Sequence, residues 1–255
     1  MKKIDVFICG VQKGGTSSLH SRMTDHPRIA APTRKELHFF DDELTVDWDD
    51  PDYRPIDAFF DSTAKMWIDS TPIYCFWPPA MERIATYNPG AKIIVVFRDP
   101  IERAWSHWCM EHARGLERQG FSEAIRSETS RIGMALSREA RIYSYVGRGY
   151  YHGQAERILS LFPREQVLFL QAEDVWQDDD FRMREIMDFL GLDAPPNGTA
   201  AHLMRRGDLE DYRAPSAEDF RFLRDRYLAD VREFSALTGI DVSRWPTVTG
   251  RRHQA

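Results

Sequence analysis

The chain has no cysteine pair, no long apolar run and no excess of basic charge. Its three cysteines, Cys9, Cys75 and Cys109, stand far apart, and no C-x-x-C spacing occurs. Neither a disulfide framework nor a zinc site is suggested, and small buried thiols in a reducing compartment are the simpler reading. No stretch approaches the roughly 18 apolar residues that a membrane span needs. The apolar segment after Lys2 and Lys3 is too short for a signal sequence, so a cytoplasmic protein without membrane attachment is expected. The 34 Lys and Arg are scattered and outnumbered by 40 Asp and Glu, a formal charge of −6. A broad nucleic-acid surface would show as basic excess, but a small anion pocket needs only a few local cations. No repeat or low-complexity linker interrupts the 255 residues. One domain over 1–255 is the economical organisation, with 245–255 as a tail outside the ordered fold.

The patterning that is present alternates strands and helices. Ile4 to Cys9 is β-branched and aromatic and stops at Gly10, as a buried strand does. Thr16, Ser17 and Ser18 offer capping side chains, and Leu19 and Met23 share one face of a helix ending near Pro27. Lys65 to Asp69 reads as a short strand and Lys92 to Phe97 as an uninterrupted apolar one. Helical spacing follows over Ile101 to His112, Tyr151 to Phe162, Phe181 to Leu190 and Phe220 to Phe234, with the strand Gln166 to Leu170 between the second and third. The predicted class is α/β, a central, mainly parallel sheet flanked by helices. Asp41 to Asp52 is an acidic loop, read as solvated surface, with a lid over an acceptor as the minority reading.

Three constellations carry chemistry. Gly10-Val11-Gln12-Lys13-Gly14-Gly15-Thr16-Ser17-Ser18 lies between a strand and a helix. Glycines admit close backbone approach to an anion, and the N–H groups of a helix start hold its oxygens. Lys13 adds a point charge and Thr16 and Ser17 add hydroxyls. The order is not that of a Walker A loop, because Thr16 rather than lysine follows Gly15. Arg98 and Ser106, in RDPIERAWSHW, pair a strand-end guanidinium with a hydroxyl on the next helix, a combination suited to a phosphate. The third is Lys35-Glu36-Leu37-His38-Phe39-Phe40. A carboxylate beside apolar rings would have a raised pKa, which suits a base working near neutrality.

These segments together resemble the sulfotransferases that use 3′-phosphoadenosine 5′-phosphosulfate (PAPS), in particular the heparan N- and 3-O-sulfotransferase branch and its bacterial relatives. The Q-K-x-G-T-[ST] order resembles their 5′-phosphosulfate loop, R-D-P-x-x-R-A-x-S-x-[WY] their 3′-phosphate motif, and K-E-x-x-F-F their base segment. Weaker matches are Asp69-Ser70-Thr71-Pro72-Ile73-Tyr74 to E-K-[ST]-P-x-Y, Gly149-Tyr150, Phe162-Pro163 and Phe189-Leu190-Gly191-Leu192. Ser70 departs from the lysine of that pattern. Arg205-Arg206-Gly207 stands where relatives carry a basic K-G-R loop, with Asp208 as a departure. The resemblance spans roughly Val6 to Trp245.

It implies a P-loop-like sulfotransferase fold and sulfuryl transfer from PAPS, leaving PAP, to a hydroxyl or amine of a glycan or natural-product acceptor. It further implies Glu36 as general base, with His38 as the rival. Lys13 with Gly14, Gly15, Thr16, Ser17 and Ser18 would hold the 5′ side of the donor, and Arg98, Ser106, Arg205, Arg206 and Gly207 the 3′ side. No metal ligand cluster is visible in the sequence and the family needs none. Oligomeric state is not legible. A P-loop small-molecule kinase, with Asp99 for magnesium, and a non-catalytic nucleotide-binding module are the alternatives. Trp67, Tyr74, Phe76 and Trp77 are candidates for an apolar acceptor wall, although such clusters are more often core. If residues 36–38 are extended, Glu36 and His38 point to opposite faces.

Overall fold

The computed structural model describes residues 2–61, 65–133, 136–177, 179–193 and 215–252. Residues 1–97 and 157–203 form one compact unit and residues 98–156 and 204–255 another. Arg205, Arg206 and Gly207 lie outside the described residues.

The first unit is built on five strands, β1 (Val6–Gly10), β2 (Ile29–Ala30), β3 (Met66–Asp69), β4 (Lys92–Phe97) and β5 (Val167–Gln171). They lie in the order β2-β3-β1-β4-β5, and every pairing is parallel. Register pairs Phe7 with Asp69 and with Ile93, and Ile94 with Leu168. β1 is buried at every position and β4 at all but Lys92. Strands covered on both faces have no polar alternation to show, which explains their continuous apolar sequences. Side chains still alternate between the faces. Val6, Ile8, Ile68, Ile94, Val96 and Leu170 pack with α1 (Thr16–Thr24), α7 (Ala172–Gln177) and α8 (Asp179–Leu190) through Leu19, Met23, Val175 and Ile186. Phe7 faces the other way, 5.5 Å from Phe40 and 6.5 Å from Tyr87 of α2 (Pro78–Tyr87), ring centre to ring centre.

The second unit is helical: α3 (Pro100–Ala113), α4 (Phe121–Ile132), α5 (Arg138–Tyr143), α9 (Ala217–Thr238) and α10 (Pro246–Thr249), with α6 (His152–Leu161) straddling the division of the chain. α3 starts where the sequence places it. Pro100 occupies its first turn, and the Asp99 side chain accepts hydrogen bonds from Ile101 N (2.9 Å) and Glu102 N (3.1 Å). The other oxygen of Asp99 accepts from Thr247 N at 2.8 Å. The expectation of a tail outside the fold from residue 245 is therefore corrected. Pro246–Thr249 is a helical turn with Pro246 and Thr247 buried, and the Trp245 and Phe234 rings stack 6.1 Å apart. The apolar stripe of α9 reaches this turn through Phe234, and the Asp99–Thr247 hydrogen bond adds a polar contact that the stripe does not announce. All three cysteines are buried and unbridged. Among the described residues no helix is long and apolar enough to cross a membrane.

Asp99 is fully buried and serves three backbone donors. Asp99→Ala removes a helix cap and strands the Thr247 N–H, so it should destabilise the fold by about 2–4 kcal/mol. The check is a fall in the urea midpoint at unchanged slope.

Candidate functional site

The glycine loop is shaped by close backbone approach at the carboxyl end of β1. Val11 N donates to Val96 O (2.9 Å), and Gly14 N donates to Val11 O (2.9 Å). A Cβ on Gly14 would lie 2.4 Å from Val96 O, so no side chain fits there. Gly15, at φ 93°, opens α1, a backbone region natural to glycine. No acidic side chain occurs in the first turn of α1, which carries Thr16, Ser17 and Ser18. The positive end of the helix dipole and its first N–H groups thus lie at the carboxyl edge of the sheet with no carboxylate of that turn beside them. Lys13 sits in the loop at φ 73°.

A second segment meets this edge one strand away. Leu37 N donates to Asp69 Oδ1 (3.4 Å) at the end of β3, beside β1. Asp69 is fully buried and also accepts from Thr71 Oγ1 (2.8 Å) and Tyr74 OH (2.9 Å). Burial pushes its carboxyl up to about 6 against those hydrogen bonds. Phe39 and Phe40 anchor the far side of the segment. Phe39 packs on Trp48 and Tyr53, and Phe40 on Phe7, Tyr74 and Tyr87.

Within this segment Glu36 (φ 63°) and His38 (φ 55°) are both left-handed. Two such residues in three curl the chain, so the extended expectation fails and the side chains turn towards each other. His38 Nε2 lies 3.4 Å from Glu36 Oε2, and His38 Nδ1 lies 3.0 Å from Asp41 Oδ2. Lys35 Nζ donates to Glu36 Oε1 at 2.8 Å. The result is a carboxylate–imidazolium–carboxylate row with an ammonium at one end. Burial alone would lower the His38 pKa, but hydrogen bonds to Asp41 and Glu36 outweigh it and raise it to about 9. Burial alone would raise Glu36, but His38 and Lys35 lower it to about 2. The predicted upward shift of Glu36 is thereby reversed. The aromatic pair supplies anchorage, while the cations beside the carboxylate set its charge.

The acidic loop is also more than solvated surface. Asp41 is buried against His38, and Glu43 accepts from Arg83 (2.8 Å) and Trp77 Nε1 (2.7 Å). Trp67, Tyr74 and Trp77 are buried at 1% exposure or less, and Trp67 stacks on Phe60 at 4.2 Å. These three are core, not acceptor wall. His20, which the sequence reading passed over, belongs to the site. Its Nδ1 lies 2.7 Å from Oγ of Ser70, the residue that departs from the lysine pattern. Burial and the nearby Lys35 lower its pKa to about 4, so it is neutral. The departure at Ser70 was the one signal that could have drawn attention to its partner.

In the second unit, Arg98 Nη2 lies 3.2 Å from Glu102 and its carbonyl accepts from Tyr151 OH at 2.9 Å. Ser106 is buried on α3. Among the described residues no group of three or more His, Cys, Asp or Glu side chains could hold a metal ion.

A glycine loop between the first strand and first helix of a parallel sheet, with a charged row at the end of the adjacent strand, defines a phosphate-loop α/β protein. The profile of the sulfotransferase domain matches residues 3–224, and the chain belongs to that family. Human heparan sulfate glucosamine 3-O-sulfotransferase 6 is 32% identical over 189 residues, 73% of this chain and 52% of that protein. Mouse heparan sulfate glucosamine 3-O-sulfotransferase 3B1 is 31% identical over 190 residues, 73% of this chain and 45% of its own length. The chain thus spans about half the length of these relatives. The crystal structure of a sulfotransferase from Alicyclobacillus acidocaldarius superposes with a TM-score of 0.79 at 26% identity, covering 96% of this chain and 99% of that one.

If Asp41 holds His38 charged, Asp41→Asn should bring the His38 titration down from about 9 towards its ordinary value of 6.5. A pH titration of the imidazole by NMR reads the shift directly.

Proposed function

We propose that the protein transfers a sulfuryl group from PAPS to a hydroxyl of a glycan or related natural product, with Glu36 as the general base. Family membership supports the reaction class, and the 3-O-sulfotransferase relatives support a hydroxyl acceptor. One observation supports these residues. Among the described residues, the non-glycine positions at positive φ are Lys13, Glu36 and His38. Such backbone costs of order 1–3 kcal/mol each and persists where the surroundings fix it, most often at reactive sites.

In this reading Lys13 and the N–H groups of Gly14 to Ser18 bind the 5′-phosphosulfate and stabilise charge growing on the leaving phosphate. Arg98 and Ser106 bind the 3′-phosphate, as their motif suggests, and Arg205, Arg206 and Gly207 are assigned to the same group by motif alone. The acceptor oxygen bonds to sulfur as the bond from sulfur to the phosphate oxygen breaks. Its proton passes to Glu36, and PAP departs. A carboxylate held at about 2 is a weak acceptor of protons. The acceptor hydroxyl must therefore displace Lys35 or His38 from Glu36, which restores its basicity at the moment of use. His38 stays cationic against Asp41. The kinase alternative loses its magnesium candidate, since both oxygens of Asp99 serve backbone N–H groups.

Incubation with PAPS and an acceptor panel, read by mass spectrometry for the added sulfo group, tests the reaction class. Lys13→Ala should lower kcat by about 10²–10³. Glu36→Gln should lower kcat by about 10²–10⁴ with little change in PAP affinity, and His38→Ala should cost less. The pH profile of kcat/KM separates the two bases. With Glu36 as base and His38 as its cationic partner, activity stays level above about 2 and falls as pH rises through about 9. With neutral His38 as base, activity would instead rise through about 9.

A further inference from the structure

Ser70 follows Asp69 at the carboxyl end of β3 and is fully buried. Among the described residues its hydroxyl makes one hydrogen bond, the 2.7 Å contact with His20 Nδ1. A buried hydroxyl with a single partner gives its proton to that partner or leaves it unsatisfied, at a cost. Nδ1 is therefore the acceptor of the pair, and in a neutral imidazole the proton then sits on Nε2. The ring is neutral near pH 7, since burial and Lys35 hold its pKa at about 4. Nε2–H, at the opposite edge of the ring, makes no hydrogen bond among the described residues. His20 is firmly presented, because its neighbours Leu19 and Met23 fix α1 in the core. α1 begins at the phosphate loop, and Lys35 and Glu36 lie near enough to act on the imidazole. The ring thus adjoins both the helix that would hold the 5′-phosphate and the carboxylate that would take the acceptor proton. In an in-line transfer the migrating group crosses that interval.

We propose that His20 Nε2–H donates a hydrogen bond to an oxygen of the transferred sulfo group, and that Ser70 fixes the tautomer that makes this possible. This rests on the sulfuryl-transfer reading given above. Serine at position 70, in place of the lysine of the resembling pattern, removes a cation from this edge, and the donor beside it is uncharged. That difference matters for the base. Glu36 is already held at about 2 by His38 and Lys35, and another fixed cation would lower its basicity further. A neutral N–H can hold a sulfo oxygen without that penalty.

Calorimetric titration of the full chain with PAPS and with PAP, without acceptor, isolates the contact, because the two ligands differ by the sulfo group alone. His20→Leu should weaken PAPS by about 10- to 100-fold and leave PAP unchanged. His20→Gln, whose amide N–H can stand in for Nε2–H, should recover most of the loss. Ser70→Ala should weaken PAPS alone, and by less than His20→Leu. In the unaltered protein with isotope-labelled histidine, the Nε2–H resonance of His20 should shift on adding PAPS beyond any shift that PAP causes. Equal losses for the two nucleotides would mean that the imidazole only packs α1. Unchanged PAPS affinity in His20→Leu, or a resonance that PAPS and PAP move alike, would mean that Nε2 meets no sulfo group. Each of these results overturns the assignment while the nucleotide reading stands. Failure of the unaltered protein to bind either nucleotide would overturn both.

Discussion

A single buried carboxylate at the end of β3 holds this edge of the sheet together. Asp69 takes one hydrogen bond from the backbone of the segment that carries Glu36 and His38, one from Thr71 in the turn after the strand, and one from Tyr74. Tyr74 OH in turn accepts from Phe40 N at 3.5 Å. The segment is therefore gripped on both sides of His38, and between those grips the chain has no room to extend. His38, between the grips, is left-handed, as is Glu36 just before the first of them, and the two side chains come face to face. Removing a polar group from water so completely is costly unless its hydrogen bonds are made, and here three donors meet that requirement.

The same edge shows how charge, more than burial, sets the acid–base character of a site. Glu36 and His38 are both partly buried, and desolvation pushes each towards its neutral form. Contact between them, with Lys35 beyond one and Asp41 beyond the other, pulls both the opposite way. His20 is the contrasting case. With the Ser70 hydroxyl beside it and a lysine nearby, it follows desolvation and stays neutral. Two histidines of one site thus hold different protonation states at neutral pH because one has carboxylate partners and the other does not.

Three strands were legible because β1, β4 and β5 are continuous apolar runs, and α3 because Pro100 and Asp99 mark its start. α4 was not. Its inner face carries Phe121, Ala124 and Ile125 but also a buried Glu128, whose carboxylate accepts from Gly147 N at 2.7 Å, so the apolar stripe is broken by a group paired out of sequence reach. α2 was hidden behind Pro78 and Pro79, which read as a loop and serve as the opening turn. At the site, the identities of Lys13, Glu36 and His38 could be read from pattern, but their conformation could not. Nothing in a lysine, glutamate or histidine announces positive φ, and that backbone choice decided which side chains meet. Ring packing was left open for a related reason, since Trp67 and Tyr74 look alike as ligand wall or core until their neighbours are known, and both are core.

The bond between Thr247 and Asp99 joins residues 148 positions apart. Contacts of such separation must bring together distant parts of the chain before they contribute anything, which slows their formation. During synthesis, which proceeds from the N-terminus, Asp99 emerges long before the residue that completes its shell. α3 can form its own cap at once through Ile101 and Glu102, but this contact of the second unit is not closed until Thr247 has been made. The helix that carries Ser106 is thus among the first parts of that unit to be made and among the last to be finished.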